Sequence, residues 1–228
     1  MRGPPSAEDL AAERVAMVEY QLRRRGIHDA RVLRAMEEVP RELFVPESER
    51  RRTYADSALP IGEGQTISQP WIVAAIAEGL ALQGTEAVLE IGTGSGYSTA
   101  VLARLAREVI TIERVTPLAN VARRTLAELG AGNVTVIVGD GTAGLPDRAP
   151  FEAIAVHATA PSPPATLLDQ LAVGGRLVVP IAARAADMLT VFHRVAERLD
   201  PQGGDGLERT VIGPCRFVPL IGSEGFPE

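Results

Sequence analysis

The chain has 228 residues, 46% apolar but only 4% aromatic, so the expectation is one domain with an aliphatic core. Acidic residues outnumber basic ones 29 to 23, a net charge of −6, which argues against broad electrostatic capture of nucleic acid. A single cysteine, Cys215, excludes an internal disulfide framework, and the scattered His28, His157 and His193 have no metal-ligand spacing, so no metal is expected.

The N-terminus carries Pro, Gly and charge and no apolar stretch of signal-peptide type; residues 1–10 are expected to be flexible. No run of about 18 apolar residues occurs, so no membrane span is expected and a cytoplasmic protein is the default. From Ala11 to Arg25, Val15, Met17, Val18 and Leu22 recur at helical spacing, and Gly26 ends the segment. Asp29 can cap a second helix through Val32, Leu33 and Met36 that stops before Pro40. Leu43 to Pro46 reads as a short connection and Glu47 to Thr53 as a solvated, charged turn or short helix. Residues 60–70 are a loop by composition, followed by a helix through Ile72, Ile76 and Leu80.

Ala87–Ile91 is then a short apolar strand running into Gly92-Thr93-Gly94-Ser95-Gly96, with a helix from Ser98 to Ala106. Val109–Ile112 is a strand ending at Glu113, and Leu118–Leu129 a helix. Val134–Val138 is a strand ending at Gly139-Asp140-Gly141. Phe151–Val156, Arg176–Val179, Leu189–Arg194 and Phe217–Leu220 are further strands, Leu167–Leu171 a helix, and Gly203–Gly206 a flexible turn between the last strands. Strands alternating with helices build βαβ units, hence an α/β fold with a mostly parallel sheet and an antiparallel end. The first 55 residues form a helical appendage.

Ligands of such sheets sit beyond the carboxyl ends of the strands. Three features fall there. Glycines let the backbone approach a ligand closely. Glu113, about twenty residues past the loop, can accept hydrogen bonds from both hydroxyls of a ribose. Asp140 can accept from an adenine amino group. Together they outline an adenosine-shaped site. A dinucleotide fingerprint needs glycine where Tyr97 stands, and the Gly-Lys-Ser/Thr of a P-loop is absent. Glu90, just before the loop, would repel a pyrophosphate and suits a cation. The pattern therefore favours S-adenosylmethionine (SAM), which carries a sulfonium and an ammonium and no phosphate, over NAD.

Val88-Leu89-Glu90-Ile91-Gly92-Thr93-Gly94-Ser95-Gly96-Tyr97 resembles the first motif of class I SAM-dependent methyltransferases. The segment Tyr54-x-Asp56-x-Ala58-Leu59-Pro60-Ile61-Gly62-x-Gly64-Gln65-Thr66-Ile67-Ser68-Gln69-Pro70 resembles the signature of protein-L-isoaspartate O-methyltransferases. Similarity continues in Val39–Pro46, Gly139-Asp140-Gly141, Gln170–Pro180 and Phe217–Leu220, from about residue 12 to 222. The resemblance implies a Rossmann-like methyltransferase fold with helices on both faces of a twisted sheet. Residues 11–228 would be one domain: 11–70 the helical appendage and active-site loop, 71–228 the core. It implies SAM as cofactor and repair as function: methylation of the free α-carboxylate of isoaspartyl residues in damaged proteins and peptides, the ester then closing to a succinimide. Ser68 matches the family's active-site serine, with Thr66 and Ile67 beside the cofactor. Glu90 and Gly92, Thr93, Gly94, Ser95 and Gly96 match the methionine-end contacts, Glu113 the ribose contact, and Asp140 with Gly141 the adenine contact. Partners would be isoaspartyl proteins or peptides, not nucleic acid or membrane; a monomer is favoured.

The chemistry fits what is missing. A carboxylate is ionised at pH 7 and needs no general base to attack a sulfonium methyl. The hydroxyl of Ser68 can hold it with one hydrogen bond; the plain alternative is a loop serine closing its own turn. Four positions depart from the family pattern or stand outside it. His157 replaces a commoner threonine; it is either a substrate contact or, the plainer reading, a residue tolerated at a strand end. Trp71 is either a pocket wall or a helix-start anchor. Residues 182–188, with Asp187 near a usual glutamine, would lie near the cofactor and bear on substrate choice; Arg184 there is either a fork of donors for a substrate carboxylate or, the plainer reading, a solvated surface arginine. Cys215 reads as a buried small residue rather than a reactive thiol. Competing functions are a related O-methyltransferase that acts on an aspartate of a dedicated peptide to form an aspartimide, a SAM-binding module without catalysis and, more distantly, an NAD-dependent oxidoreductase.

Overall fold

In the computed structural model, which describes residues 5–196 and 205–227, helix α1 (Ala7–Met17) starts at Ala7 rather than Ala11. The reason is a capping box. The Asp9 N–H donates to Ser6 Oγ (3.1 Å) and the Ser6 N–H to the Asp9 carboxylate (3.0 Å), satisfying donors that a helix start leaves open. Residues 7–10 are thus helical. Helical turns continue, first wider and then tighter, to Arg25, where Gly26 (φ 94°) breaks the path. Asp29 caps α2 (Ala30–Glu38) by accepting from the N–H groups of Arg31 and Val32. The appendage is tied inward by Arg41, which is fully buried. Its Nε donates to the Thr53 carbonyl (2.8 Å), and its guanidinium lies 4.8 Å from the centre of the Tyr97 ring.

Residues 60–70 are not a plain loop. They contain a hairpin of β1 (Leu59–Gly62) and β2 (Gln65–Ile67), with α3 (Pro70–Leu80) starting on a proline at its first position. The loop-like composition belongs to the tip, where Gly62, Glu63 and Gly64 all have positive φ.

The remaining strands are β3 (Ala87–Ile91), β4 (Glu108–Glu113), β5 (Val134–Val138), β6 (Phe151–Val156), β7 (Leu171–Ile181), β8 (Asp187–Arg194) and β9 (Leu207–Cys215). They form one seven-stranded sheet in the order β5-β4-β3-β6-β7-β8-β9. The first five are parallel, and β8 and β9 run antiparallel. Helices α4 (Tyr97–Ala103), α5 (Thr116–Glu128) and α6 (Ala165–Asp169) connect them. Side chains alternate across the sheet. Val88, Val109, Ala153 and Val178 join one core with α1 to α5, while Leu89, Ile110, Ile154 and Leu177 join a second with α6 and Leu220. Chain order reverses at β3, beside β6, which opens a crevice at their carboxyl ends.

The end of the chain differs from expectation. The last strand is β9, and Phe217–Leu220 is not a strand; only a single bridge joins Thr159 to Pro219. An edge strand with Glu208, Arg209 and Thr210 exposed shows no apolar alternation, whereas a run broken by Pro219 cannot donate along a ladder. Leu171 starts β7 instead of ending a helix. Half of the expected turn at Gly203–Gly206, residues 203 and 204, lies outside the described residues.

Candidate functional site

A cavity of about 300 Å³ lies at the crevice, lined by Gly92, Gly94, Glu113, Gly141, His157 and Leu220 among others. Gly92 and Gly94 have positive φ, and a Cβ at Gly92 would come within 3.4 Å of the His157 Cβ, so the loop follows a path open to glycine. The amide donors of its three glycines are already used. The Gly92 N–H donates to the Ile112 carbonyl (2.9 Å), Gly96 to Thr93 (2.8 Å) and Gly94 to Glu113 Oε2 (2.8 Å). The other Glu113 oxygen accepts from the Val115 N–H (2.8 Å). A phosphate would find these N–H groups occupied and a buried carboxylate facing it. A vicinal diol would find an acceptor with lone pairs to spare, and Ile91, Ile112 and Ile221 offer apolar walls to a flat base. The cavity therefore fits a nucleoside without a phosphate, as SAM is.

Of the residues expected around the cofactor, Thr66, Gly92, Gly94, Glu113 and Gly141 line this cavity. The others do not. Glu90 shares the sheet face of Val88, so its side chain points under α4. It is fully buried there and accepts a hydrogen bond from Thr99 Oγ1, while its Oε1 makes no hydrogen bond. Thr93 turns into the sheet, with Oγ1 2.6 Å from that of Thr111. Gly96 lies against α5, where a Cβ would meet Ala122 at 3.2 Å. Ser95 lines no cavity at this crevice, and the Ile67 side chain is buried in the first core. Asp140 is exposed and turned toward the chain end. Its carboxylate accepts from the N–H and hydroxyl of Thr142 (2.8 and 2.7 Å) and from the Ser223 N–H (2.9 Å). Burial raises its pKa, but these hydrogen bonds outweigh that and hold it below its ordinary value.

Ser68 lines a second cavity of about 470 Å³, with Gln69, Ile72, Cys215, Arg216 and Phe217. Thr66, His157 and Val218 line both cavities and form the seam between them. His157, read from the sequence as either a substrate contact or a tolerated strand-end residue, thus lines both cavities. Its Nε2 is 2.9 Å from Ser98 Oγ and 3.1 Å from Glu90 Oε1. His157, rather than Glu90, faces the cavities. The segment 217–221 is the other contributor that sequence reasoning missed. Thr159 holds it: the Thr159 N–H donates to the Val218 carbonyl and the Leu220 N–H to the Thr159 carbonyl, both 2.8 Å. Its signals in the sequence were an apolar run containing a proline, which was read as a strand, and the similarity of Phe217–Leu220 to the family pattern.

Trp71 proves to be a helix-start anchor: Nε1 donates to the Arg25 carbonyl (3.2 Å) and the ring lies under the Arg25 guanidinium. Arg184 is exposed and lines neither cavity. Asp187 accepts from Thr159 Oγ1 (2.7 Å), so it acts on the site through the residue that holds segment 217–221. Cys215 is half-buried, not fully buried; burial first and the nearby Asp187 charge push its thiol up to about 11, which leaves it protonated and unreactive.

The family model for protein-L-isoaspartate(D-aspartate) O-methyltransferase matches residues 12–225. A protein-L-isoaspartate O-methyltransferase of Marinobacter nauticus is 52% identical over 221 residues, 96% of this chain and 98% of its own length. One from Syntrophobacter fumaroxidans is 53% identical over 210 residues, covering 92% and 94%. Among solved structures, a protein-L-isoaspartate O-methyltransferase superposes with a TM-score of 0.79 at 29% identity, over 92% of this chain and 67% of that one. A Plasmodium falciparum structure of the same description, in complex with S-adenosyl-L-homocysteine (SAH), gives 0.75 at 26% identity, over 91% and 98%.

Proposed function

The chain belongs to the protein-L-isoaspartate O-methyltransferase family, and from that membership we propose how its two cavities serve methyl transfer from SAM to the free α-carboxylate of L-isoaspartyl residues in damaged proteins and peptides. Bound in the first cavity, SAM supplies a methyl group activated by a sulfonium. Glu113 would hold the ribose hydroxyls, Gly92 and Gly94 would let the backbone close on the ligand, and Gly141 with Ile91 would bound the base. Gly141 has little latitude, since a Cβ there would meet Ile91 at 2.7 Å.

The acceptor belongs in the second cavity. The Ser68 hydroxyl forms no hydrogen bond among the described residues, which leaves its proton for an incoming carboxylate. That carboxylate is ionised near neutral pH, so no residue has to remove a proton from it. What the protein supplies is placement and exclusion of water. The observation that carries this reading is the seam: Thr66, His157 and Val218 face both cavities, so a nucleophilic oxygen held by Ser68 lies next to the space for the methyl donor.

Transfer of radiolabelled methyl from SAM to matched pairs of unrelated peptides, isoaspartyl against aspartyl, tests the function. Labelling confined to the isoaspartyl members is expected. Labelling of aspartyl peptides, or of none, overturns repair. Residues 182–186 lie outside the lining of both cavities, so the altered loop gives no support to a dedicated peptide substrate. We further read residues 11–228 as one domain acting as a cytoplasmic monomer without a nucleic-acid partner. In support, one sheet runs through the core and, among the described residues, no helix is long and apolar enough to cross a membrane.

A further inference from the structure

We propose that Arg216 recognises the negative charge of the substrate, drawing the isoaspartyl carboxylate into the second cavity and toward Ser68. The inference rests on the reading of that cavity as the acceptor site. Three polar side chains converge there without partners: among the described residues the Ser68 hydroxyl, the Gln69 amide and the Arg216 guanidinium form no hydrogen bond or ion pair. An arginine that serves the fold is normally tied to a carbonyl or carboxylate, as Arg25 is to Asp56 (2.6 Å) and Arg194 is to the Leu168 carbonyl (2.6 Å). Arg216 is not tied, although its position is fixed. Cys215 and Phe217 on either side both pack against the first core, which turns the residue between them outward at the rim of the cavity.

Among the described lining residues, Arg216 is the one side chain with a fixed charge. None of the described residues lining this cavity is a carboxylate, and the nearby Asp187 carboxylate is engaged by Thr159. An exposed guanidinium at such a mouth attracts an anion over a distance and offers a fork of donors on arrival. The reaction then removes the attraction. The isoaspartyl carboxylate enters with one negative charge and leaves as a neutral methyl ester. A cation at the rim thus favours entry of substrate over retention of product, without binding the reacting oxygen as tightly as a buried ion pair would.

Steady-state kinetics on an isoaspartyl peptide at several salt concentrations test this, with SAH affinity by calorimetry alongside. Arg216→Gln is expected to raise the peptide KM about tenfold, the worth of one charge-assisted contact, while kcat falls less than about twofold. Its kcat/KM loses most of the wild-type decline with added salt, and Arg216→Lys restores most of the KM and the salt response. The SAH Kd stays within about twofold, because Arg216 does not line the first cavity. An unchanged KM in Arg216→Gln, or a salt response equal to wild type, overturns the proposal. So does a loss confined to kcat. If wild-type enzyme does not methylate isoaspartyl peptides at all, the acceptor-site reading fails instead, and the two failures are told apart by that control.

Discussion

Ser68 is asked for little chemistry, which is why it is hard to see by chemistry alone. It sits in no pair with a histidine or a carboxylate, and its nucleophilic partner arrives already charged. Its value lies in an unspent proton on the wall of a cavity next to the seam. Ser68→Ala is expected to lower kcat/KM for an isoaspartyl peptide by about 10- to 100-fold, the span of one hydrogen bond to a charged group. SAH affinity, measured by calorimetry, is expected to hold within about twofold. Turnover equal to wild type would remove Ser68 from the mechanism. The sequence motif singles out this residue, together with Gly92, Gly94 and Glu113, all of which line the two cavities, because their types are dictated by backbone path or by an acceptor at a strand end. Glu90 and Thr93 match the same motif, but in the structure neither lines the first cavity. Which way a side chain points is decided by the alternation of β3 and by neighbours such as Thr99 and Thr111, which lie elsewhere in the sequence. His157 was undervalued on the same ground, since its partners Ser98 and Glu90 are far from it along the chain.

At the scale of elements, the hinge of the site is the irregular segment from Phe217 to Phe226, which no periodicity announces. It has no ladder of its own. It is held by Thr159 at one point and, further along, by Asp140 and Thr142: the Ser223 N–H meets the Asp140 carboxylate and the Glu224 N–H donates to Thr142 Oγ1 (3.1 Å). A Cβ at Gly222 would strike the same carboxylate, so the approach is close. Asp140 was expected to meet adenine directly; its contacts instead secure the segment that brings Leu220 and Ile221 into the cavity wall. Because its pKa in the folded protein is depressed from the ordinary 3.8, its contribution to stability is present above that value and is lost as pH falls through the lower folded value. Thermal unfolding of wild type is therefore expected to lose more stability between about pH 5 and pH 3 than that of Asp140→Asn, which has no such charge to lose. Near neutral pH the variant is expected to bind SAH more weakly, through a loosened segment. Parallel acid slopes in the two proteins would show that Asp140 does not hold it.

At the scale of the molecule, the centre of the sheet was legible because β3, β4 and β6 are buried on both faces and read as aliphatic runs, from Ala87–Ile91 to Phe151–Val156. The edge was not, since β9 is largely exposed. Two separate cores meet only across that sheet, and the first cavity opens where the backbone ends of β3, β4 and β6 come together with segment 217–221. A ligand there touches parts that unfold as one, so its binding free energy must appear as global stability. At about 100 times its Kd, SAH is expected to add roughly 2.7 kcal/mol. For a chain of this length that corresponds to a rise in Tm of about 5–10 °C, growing with the logarithm of ligand concentration. Glu113→Gln separates the parts of this effect. It replaces one carboxylate oxygen with an amide donor facing the N–H of Gly94 or Val115, so Tm without ligand should fall. It also weakens the grip on the ribose, so the rise at the same SAH concentration should shrink by more than about half. A full rise in Glu113→Gln, read by differential scanning fluorimetry, would mean that the nucleoside binds away from β4, and the placement of the donor in the first cavity would fall with it.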